Sequence, residues 1–196
     1  MKTIPEQIVY IGQLMFERHL TDIAGGNISV RDDDKIYCTP RYAGHKMHWH
    51  LSPMDIVVGS LESDELLENP LFSREGLSHL YIYRAFPEAK AIIHAHPPNI
   101  LPFCVIEKPI EPVLLAVKKF GVIGFIETAP SYSQEQAEKI VASLLDKREL
   151  IQSSAAAILI PQHGIFVVSQ DLWMAIDALE RINTNAWCIL TQRLIA

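Results

Sequence analysis

Two histidines stand one residue apart, as His94-Ala95-His96, in an apolar stretch that reads as a strand. Residues i and i+2 of a strand project to one side, so both imidazoles can reach one ion. Structural hydrogen bonding within a sheet would use the same pair. A third histidine, His163, lies in Pro161-Gln162-His163-Gly164 between two apolar runs. Gly164 lets the backbone turn sharply beside the imidazole. Three neutral imidazoles with one open position make a catalytic zinc geometry. A turn histidine with a structural part alone is the competing reading. A further stretch, Phe72-Ser73-Arg74-Glu75-Gly76, precedes the first pair. Its position puts Ser73, Arg74 and Glu75 in the first turn of a helix, where free N–H groups favour anions. A hydroxyl and a guanidinium there suit a phosphate or a carboxylate, and Glu75 could close a metal site or act as its base. Plain capping by Ser73 accounts for the same residues. The small residues and amides of residues 25–29 suit anion contact. They lack the spacing of a dinucleotide loop.

These residues need elements to hold them. Thr3 and Glu6 form a capping box ahead of Ile4, Ile8, Ile11 and Met15, which predicts a helix over 4–19. Residues 27–30 and 35–38 alternate as the arms of a hairpin about Asp32-Asp33-Asp34, with a short strand at 55–58. The acidic stretch 62–70 reads as a solvated loop. A helix capped by Ser73 runs to about Phe86, followed by a buried strand at 91–95. Pro97 and Pro98 stop that strand, and a short helix follows. Residues 122–126 read as a strand, and Ser133 with Gln136 as a second capping box. Strands at 155–160 and 164–168 precede a closing helix over 171–194. With no repeat or linker, this order predicts one α/β domain over residues 1–196, a sheet between helical layers.

Composition narrows the function. The 196 residues are 49% hydrophobic and 20% charged, which is globular. Seventeen Lys and Arg against 23 Asp and Glu give −6, so nucleic acid has no electrostatic footing. Cys38, Cys104 and Cys188 fit no disulfide framework and read as reduced, buried thiols. No apolar run approaches the roughly 20 residues of a bilayer span. No signal peptide is visible, because Glu6 and Gln7 interrupt the start. A cytoplasmic location, away from membranes, is the expectation. Eight histidines are the anomaly, and His45, His48 and His50 crowd one loop without an evident task.

The pieces Gly-Asn-Ile-Ser (26–29), Thr-Pro (39–40), Ser-Arg-Glu (73–75) with His79 after it, His-Ala-His (94–96) and Gln-His-Gly (162–164) occur in that order. The set resembles the class II aldolase/adducin superfamily, specifically its L-fuculose-1-phosphate aldolase type, from residue 4 to about 190. The resemblance implies an α/β/α sandwich with a largely antiparallel central sheet. It also implies a homotetramer with active sites at subunit interfaces. It assigns a divalent ion, Zn2+ or else Mn2+ or Co2+, to His94, His96 and His163. Glu75 becomes the acid/base and a further ligand in the resting enzyme. Asn27 and Ser73 become phosphate contacts. Arg41 and Arg74 stand where the family has no arginine, adding positive charge for a phosphate or a carboxylate. The tyrosine that the family aldolase uses as proton donor has no counterpart near residues 110–115; Tyr132 and His50 are the substitutes at hand.

The implied activity is retro-aldol cleavage of a phosphorylated sugar. A sugar-phosphate dehydratase of the methylthioribulose-1-phosphate type, or a decarboxylase, would use the same residues. An adducin-like interaction module would keep the fold without catalysis, and the retained histidines and Glu75 argue against it. A metallohydrolase is weaker, since no Asp-His pair follows Pro97.

Overall fold

The computed structural model describes residues 2–195, with the backbone alone at Arg193. Thr3 caps the first helix, α1 (Ile4–Glu17), with the full capping box that the sequence announced. The hairpin β1 (Asn27–Asp32) and β2 (Lys35–Cys38) follows, then β3 (Val57–Ser60) and a short helix, α2 (Glu65–Glu68). Helix α3 (Gly76–Ala85) leads into β4 (Ala91–Ala95), and α4 (Leu101–Ile106) comes after the proline pair. Helices α5 (Gln134–Leu144) and α6 (Arg148–Ser153) precede the hairpin β5 (Ala156–Ile160) and β6 (Gly164–Ser169). Helix α7 (Leu172–Thr191) closes the chain, capped by Asp171, which accepts from the Trp173 and Met174 amides.

The strands form one sheet in the order β3-β2-β1-β4-β6-β5, and each neighbouring pair is antiparallel. Alternation along β4 divides the protein. Ala91, Ile93 and Ala95 join one core with residues of α1 and α7, and Ile92 joins a second with residues of α3 and α5. Both faces of the sheet are therefore covered, and β4 is buried along its whole length. His94 shares the parity of Ile92 and stacks on Phe166, so it lies on the α3/α5 side.

Three local expectations change. Residues 122–126 form no sheet strand, only bridges pairing Ile110 with Ile123 and Phe125 with Leu159. Gly121, at φ +68°, and Gly124 break the run, which lies along β5 and covers that edge. The acidic stretch 62–70 is not wholly solvated, because α2 buries Leu66 against the sheet while its carboxylates face out. The strand expected at 55–58 starts two residues late, after a 3-10 turn over Pro53–Asp55.

The histidine-rich loop is a continuous turn that drives Trp49 into the core against Gly12. Trp49 Nε1 donates to the Asp22 carbonyl at 2.9 Å. His45, His48 and His50 are left exposed around it. Cys38 and Cys104 are buried free thiols, pushed up to about 12 by desolvation, and Cys188 is a half-buried one.

Candidate active site

Sheet register brings the histidines together. His94 pairs with Asn27 on one side and with Phe166 on the other, at the end of β4 nearest the β5–β6 turn. His96 lies just past the end of β4 rather than within it. His163 occupies the β5–β6 turn, with Gln162 at φ +54°. A side chain at Gly164 would collide with the Ala95 carbonyl and the His96 ring, and one at Gly25 with the same ring. These two glycines admit the third histidine and the incoming turn to the end of β4.

The ligand atoms of His94, His96 and His163 all lie within 4.8 Å of one another. His94 Nε2 and His96 Nε2 are 3.1 Å apart. A tetrahedral ion with bonds of about 2.0–2.1 Å would separate its ligand atoms by about 3.3 Å. The outer nitrogens of His94 and His96 face acceptors. His94 Nδ1 donates to the Ile165 carbonyl at 3.1 Å, which leaves Nε2 with its lone pair turned inward. His96 Nδ1 faces Asp22 Oδ1 at 3.6 Å, and the same carboxylate oxygen accepts from the Ala24 and Gly25 amides. Two inward lone pairs that close are repulsive unless a proton or a cation lies between them. The donor set therefore fits a metal ion.

Burial keeps the imidazoles neutral, which is the form that binds metals. His94 is held well below the ordinary range by burial and by its histidine neighbours. His163 is pushed down to about 4 by burial, then by His96 and Arg74. Burial lowers His96 as well, with Asp22 opposing it.

Glu75 sits beside this cluster at 3% exposure. Its Oε2 accepts from Gln136 Nε2 at 3.0 Å and from Ser78 Oγ at 3.4 Å. Its Oε1 is buried without a hydrogen-bond partner, 3.6 Å from His163 Nδ1, which also lacks one. Burial raises the Glu75 carboxyl to about 7, against the opposing pull of Gln136, Ser78 and Arg74. Such a group can both take and give a proton near neutrality.

Ser73 does not cap a helix. Helix α3 starts at Gly76, with Glu75 as the N-cap residue and no side-chain cap. Ser73, Arg74 and Glu75 form the preceding turn, which frees their side chains for the cavity. Ser73 Oγ accepts from Asn27 Nδ2 at 3.0 Å, and Asn27 Oδ1 is buried without a partner. One cavity, of about 90 Å³, is lined by Asn27, Arg41, Ser73, Arg74, Glu75, His94, His96 and His163 together. Among the described residues, neither Arg41 nor Arg74 forms an ion pair.

Tyr132 also lines the cavity, its ring 4.4 Å from the Arg74 guanidinium and 6.2 Å from the His163 ring. His45 reaches the rim, whereas His48 and His50 do not line it. His79 is fully buried away from the cavity, with Nδ1 2.6 Å from Ser29 Oγ and its ring edge-on to Phe166. Sequence reasoning missed Asp22, Ser78 and Gln136. Gln136 carried a signal that pointed elsewhere. Ser133 Oγ accepts from its amide as a cap should, but its side chain turns to Glu75 instead of back to Ser133.

Residues 6–190 match the family described as Class II Aldolase and Adducin N-terminal domain. A 3-oxo-tetronate 4-phosphate decarboxylase of Haemophilus influenzae is 29% identical over 194 residues, spanning 95% of this chain and 86% of that protein. An L-fuculose phosphate aldolase of Methanococcus maripaludis is 27% identical over 183 residues, spanning 90% and 92%. The solved L-fuculose-1-phosphate aldolase of Thermus thermophilus superposes with a TM-score of 0.81 at 23% identity, covering 95% of this chain and 92% of that one.

Proposed function

The chain belongs to the class II aldolase and adducin family, and from that premise we propose that it is a divalent-metal-dependent lyase that cleaves a phosphorylated ketose by a retro-aldol reaction. The observation that carries this reading is the convergence of His94, His96 and His163 within 4.8 Å, beside the unpartnered Oε1 of Glu75. Zinc suits three imidazoles, with Mn2+ or Co2+ as substitutes. When bound, the cation supplies Lewis acidity to the substrate carbonyl and adjacent hydroxyl, and offsets the negative charge that builds as the bond breaks.

Retro-aldol cleavage takes a proton from one hydroxyl and delivers one to the carbon left behind. Glu75 Oε1 is free of hydrogen-bond partners beside the histidine cluster, so one carboxyl can serve both transfers. In the absence of substrate the same carboxylate would be at hand as a further metal ligand beside His163. Asn27, Ser73, Arg74 and Arg41 bind the phosphate, with the arginines supplying the charge that an acidic protein does not offer from its overall field.

A second reading has its own observation. Two arginines without ion-pair partners on one cavity favour a substrate with two anionic groups, a phosphorylated keto acid. Decarboxylation would use the same metal and the same carboxyl, with CO2 as the group that leaves. A homotetramer with interfacial sites is part of the proposal, supported by the exposed apolar side chains of Val105, Ile106 and Leu115. So is a cytoplasmic location. Among the described residues no helix is long and apolar enough to cross a membrane. The test is metal analysis of the purified protein, followed by turnover of L-fuculose 1-phosphate and a 3-oxo-tetronate 4-phosphate with the products identified. An aldehyde product supports the aldolase and CO2 the decarboxylase. Metal-free, inactive protein would return the chain to the non-catalytic module.

A further inference from the structure

We propose that Gln136 is the positioning residue of the proposed lyase: one side-chain amide that fixes the Glu75 carboxyl and the Tyr132 turn relative to each other. The inference rests on the lyase reading and concerns a residue of α5 that does not itself line the cavity.

Gln136 lies near the start of α5, is fully buried, and faces α3 where the two helices pack. Its Nε2 donates to Glu75 Oε2 at 3.0 Å, and its Oε1 accepts from the Tyr132 backbone amide at 3.2 Å. Chemistry fixes this orientation. Turning the amide over would set its oxygen against a carboxylate oxygen and its NH2 against an N–H. A glutamine at this point of a helix would ordinarily close a capping box on Ser133. Here the Ser133 amide donates to the Pro130 carbonyl at 3.3 Å, and the Gln136 side chain is free for the longer-range pair.

Each half of the amide has a consequence. The donor half, with Ser78, occupies Oε2 and leaves Oε1 as the oxygen presented to His163 and the cavity. A carboxyl that could rotate would offer either oxygen and lose its alignment with the reacting carbon. The acceptor half holds Tyr132 at φ +66°, a backbone conformation that a bulky residue does not adopt by itself. In that conformation the Tyr132 ring meets Arg74 and His163. The amide therefore joins the proton-transfer group to the aromatic side chain over the cavity, and neither half can be lost without releasing one of them.

The experiment is Gln136→Leu, assayed with L-fuculose 1-phosphate and a 3-oxo-tetronate 4-phosphate, alone and in a Glu75→Gln background. With either substrate that the wild type turns over, kcat falls roughly ten- to hundredfold, as misalignment at a reacting group does. KM changes less than kcat, because Asn27, Ser73 and Arg41 still bind the anion. Metal content is unchanged, and the Tyr132 amide exchanges faster with solvent. In the Glu75→Gln background the same substitution costs nothing further in kcat, which a merely structural glutamine would not show. Gln136→Met keeps the volume without the donor or the acceptor, and replaces Gln136→Leu if that variant does not fold. Unchanged kcat, or an equal loss in both backgrounds, would overturn the inference alone. A wild type inactive on both substrates would remove the lyase reading and the inference with it.

Discussion

Glu75 Oε1 and His163 Nδ1 face each other at 3.6 Å, both buried and both without a hydrogen-bond partner. At neutral pH this is not an ion pair. Burial lowers the imidazole to about 4 and raises the carboxyl to about 7, so the charged form of each is disfavoured. Two unsatisfied polar atoms in one buried place cost stability, and such a cost is retained where a ligand or a proton is to be handled.

Glu75→Gln keeps the metal and loses turnover by roughly 10²–10⁴, the usual contribution of a positioned acid/base. The substitution also reads out burial. The folded-state carboxyl titrates near 7 against 4.5 for its ordinary value, so its stability contribution is full below 4.5 and lost as pH rises through 7. Metal-free Glu75→Gln is therefore expected to gain stability over metal-free wild type at pH 8 and not at pH 4.5. Denaturant melts at the two pH values check this. Wild-type turnover by the variant would remove Glu75 from the chemistry.

Asp22→Asn keeps an acceptor for the Ala24 and Gly25 amides and removes the charge behind His96. Carboxylate support of a ligating histidine is commonly worth 10–100-fold in metal affinity, so zinc affinity should fall by about that factor. Competition with a chromophoric chelator measures it. Removing the ion with a chelator should abolish turnover, and adding zinc back should restore it.

His79 makes the protein acid-sensitive. It is fully buried and pushed down to about 3 by desolvation, whereas the unfolded chain takes up a proton near 6.5. Its contribution to stability is complete above 6.5 and is lost as pH falls toward 3, at about 1.4 kcal/mol per pH unit. His94 and His163 add slopes of the same sign in the metal-free protein. Chemical denaturation from pH 7 to 4.5 should show the decline, and His79→Gln should make it shallower. An unchanged slope would mean that His79 is not held neutral.

Arg74→Ala and Arg41→Ala test the anion-binding role of the two arginines. Arg74 is exposed at the rim and rests on Tyr132, so losing its contact to an anion should raise KM about tenfold with kcat little changed. Arg41 is half-buried with an unpartnered Nε, so its loss should cost at least as much. Either substrate should lose affinity with both variants, since both arginines line the one cavity.

The strand carrying His94 was legible because continuous burial leaves an apolar run that two prolines end. The hairpin that carries His163 was legible for the same reason, from two apolar runs about a turn. The run 122–126 has the same look and is not a strand. Whether an apolar run joins a sheet depends on which edge is free, and that is decided outside the run. Leu66 was hidden by its acidic neighbours, since net charge masks a single buried anchor.

The candidate site divides along the same line. His94, His96, His163, Glu75, Ser73 and Arg74 were named from local motifs, Asn27 and Arg41 as phosphate contacts through the family resemblance, and all line one cavity. Gln136 was not, because the pattern Ser133 to Gln136 fits a capping box and the cap is half made. Asp22 left no signal, because its task depends on a ring 74 residues away in the chain, at His96. By itself the sequence determined which chemistry-bearing residues exist and which local elements hold them, because strand alternation and helix periodicity are short-range. Only the tertiary structure decided that Glu75 presents one oxygen and not the other, that the Nε2 atoms of His94 and His96 meet at 3.1 Å, and that Gln136 reaches Glu75. Those outcomes depend on packing between α3 and α5 and on strand register, which bring together residues that no local pattern relates.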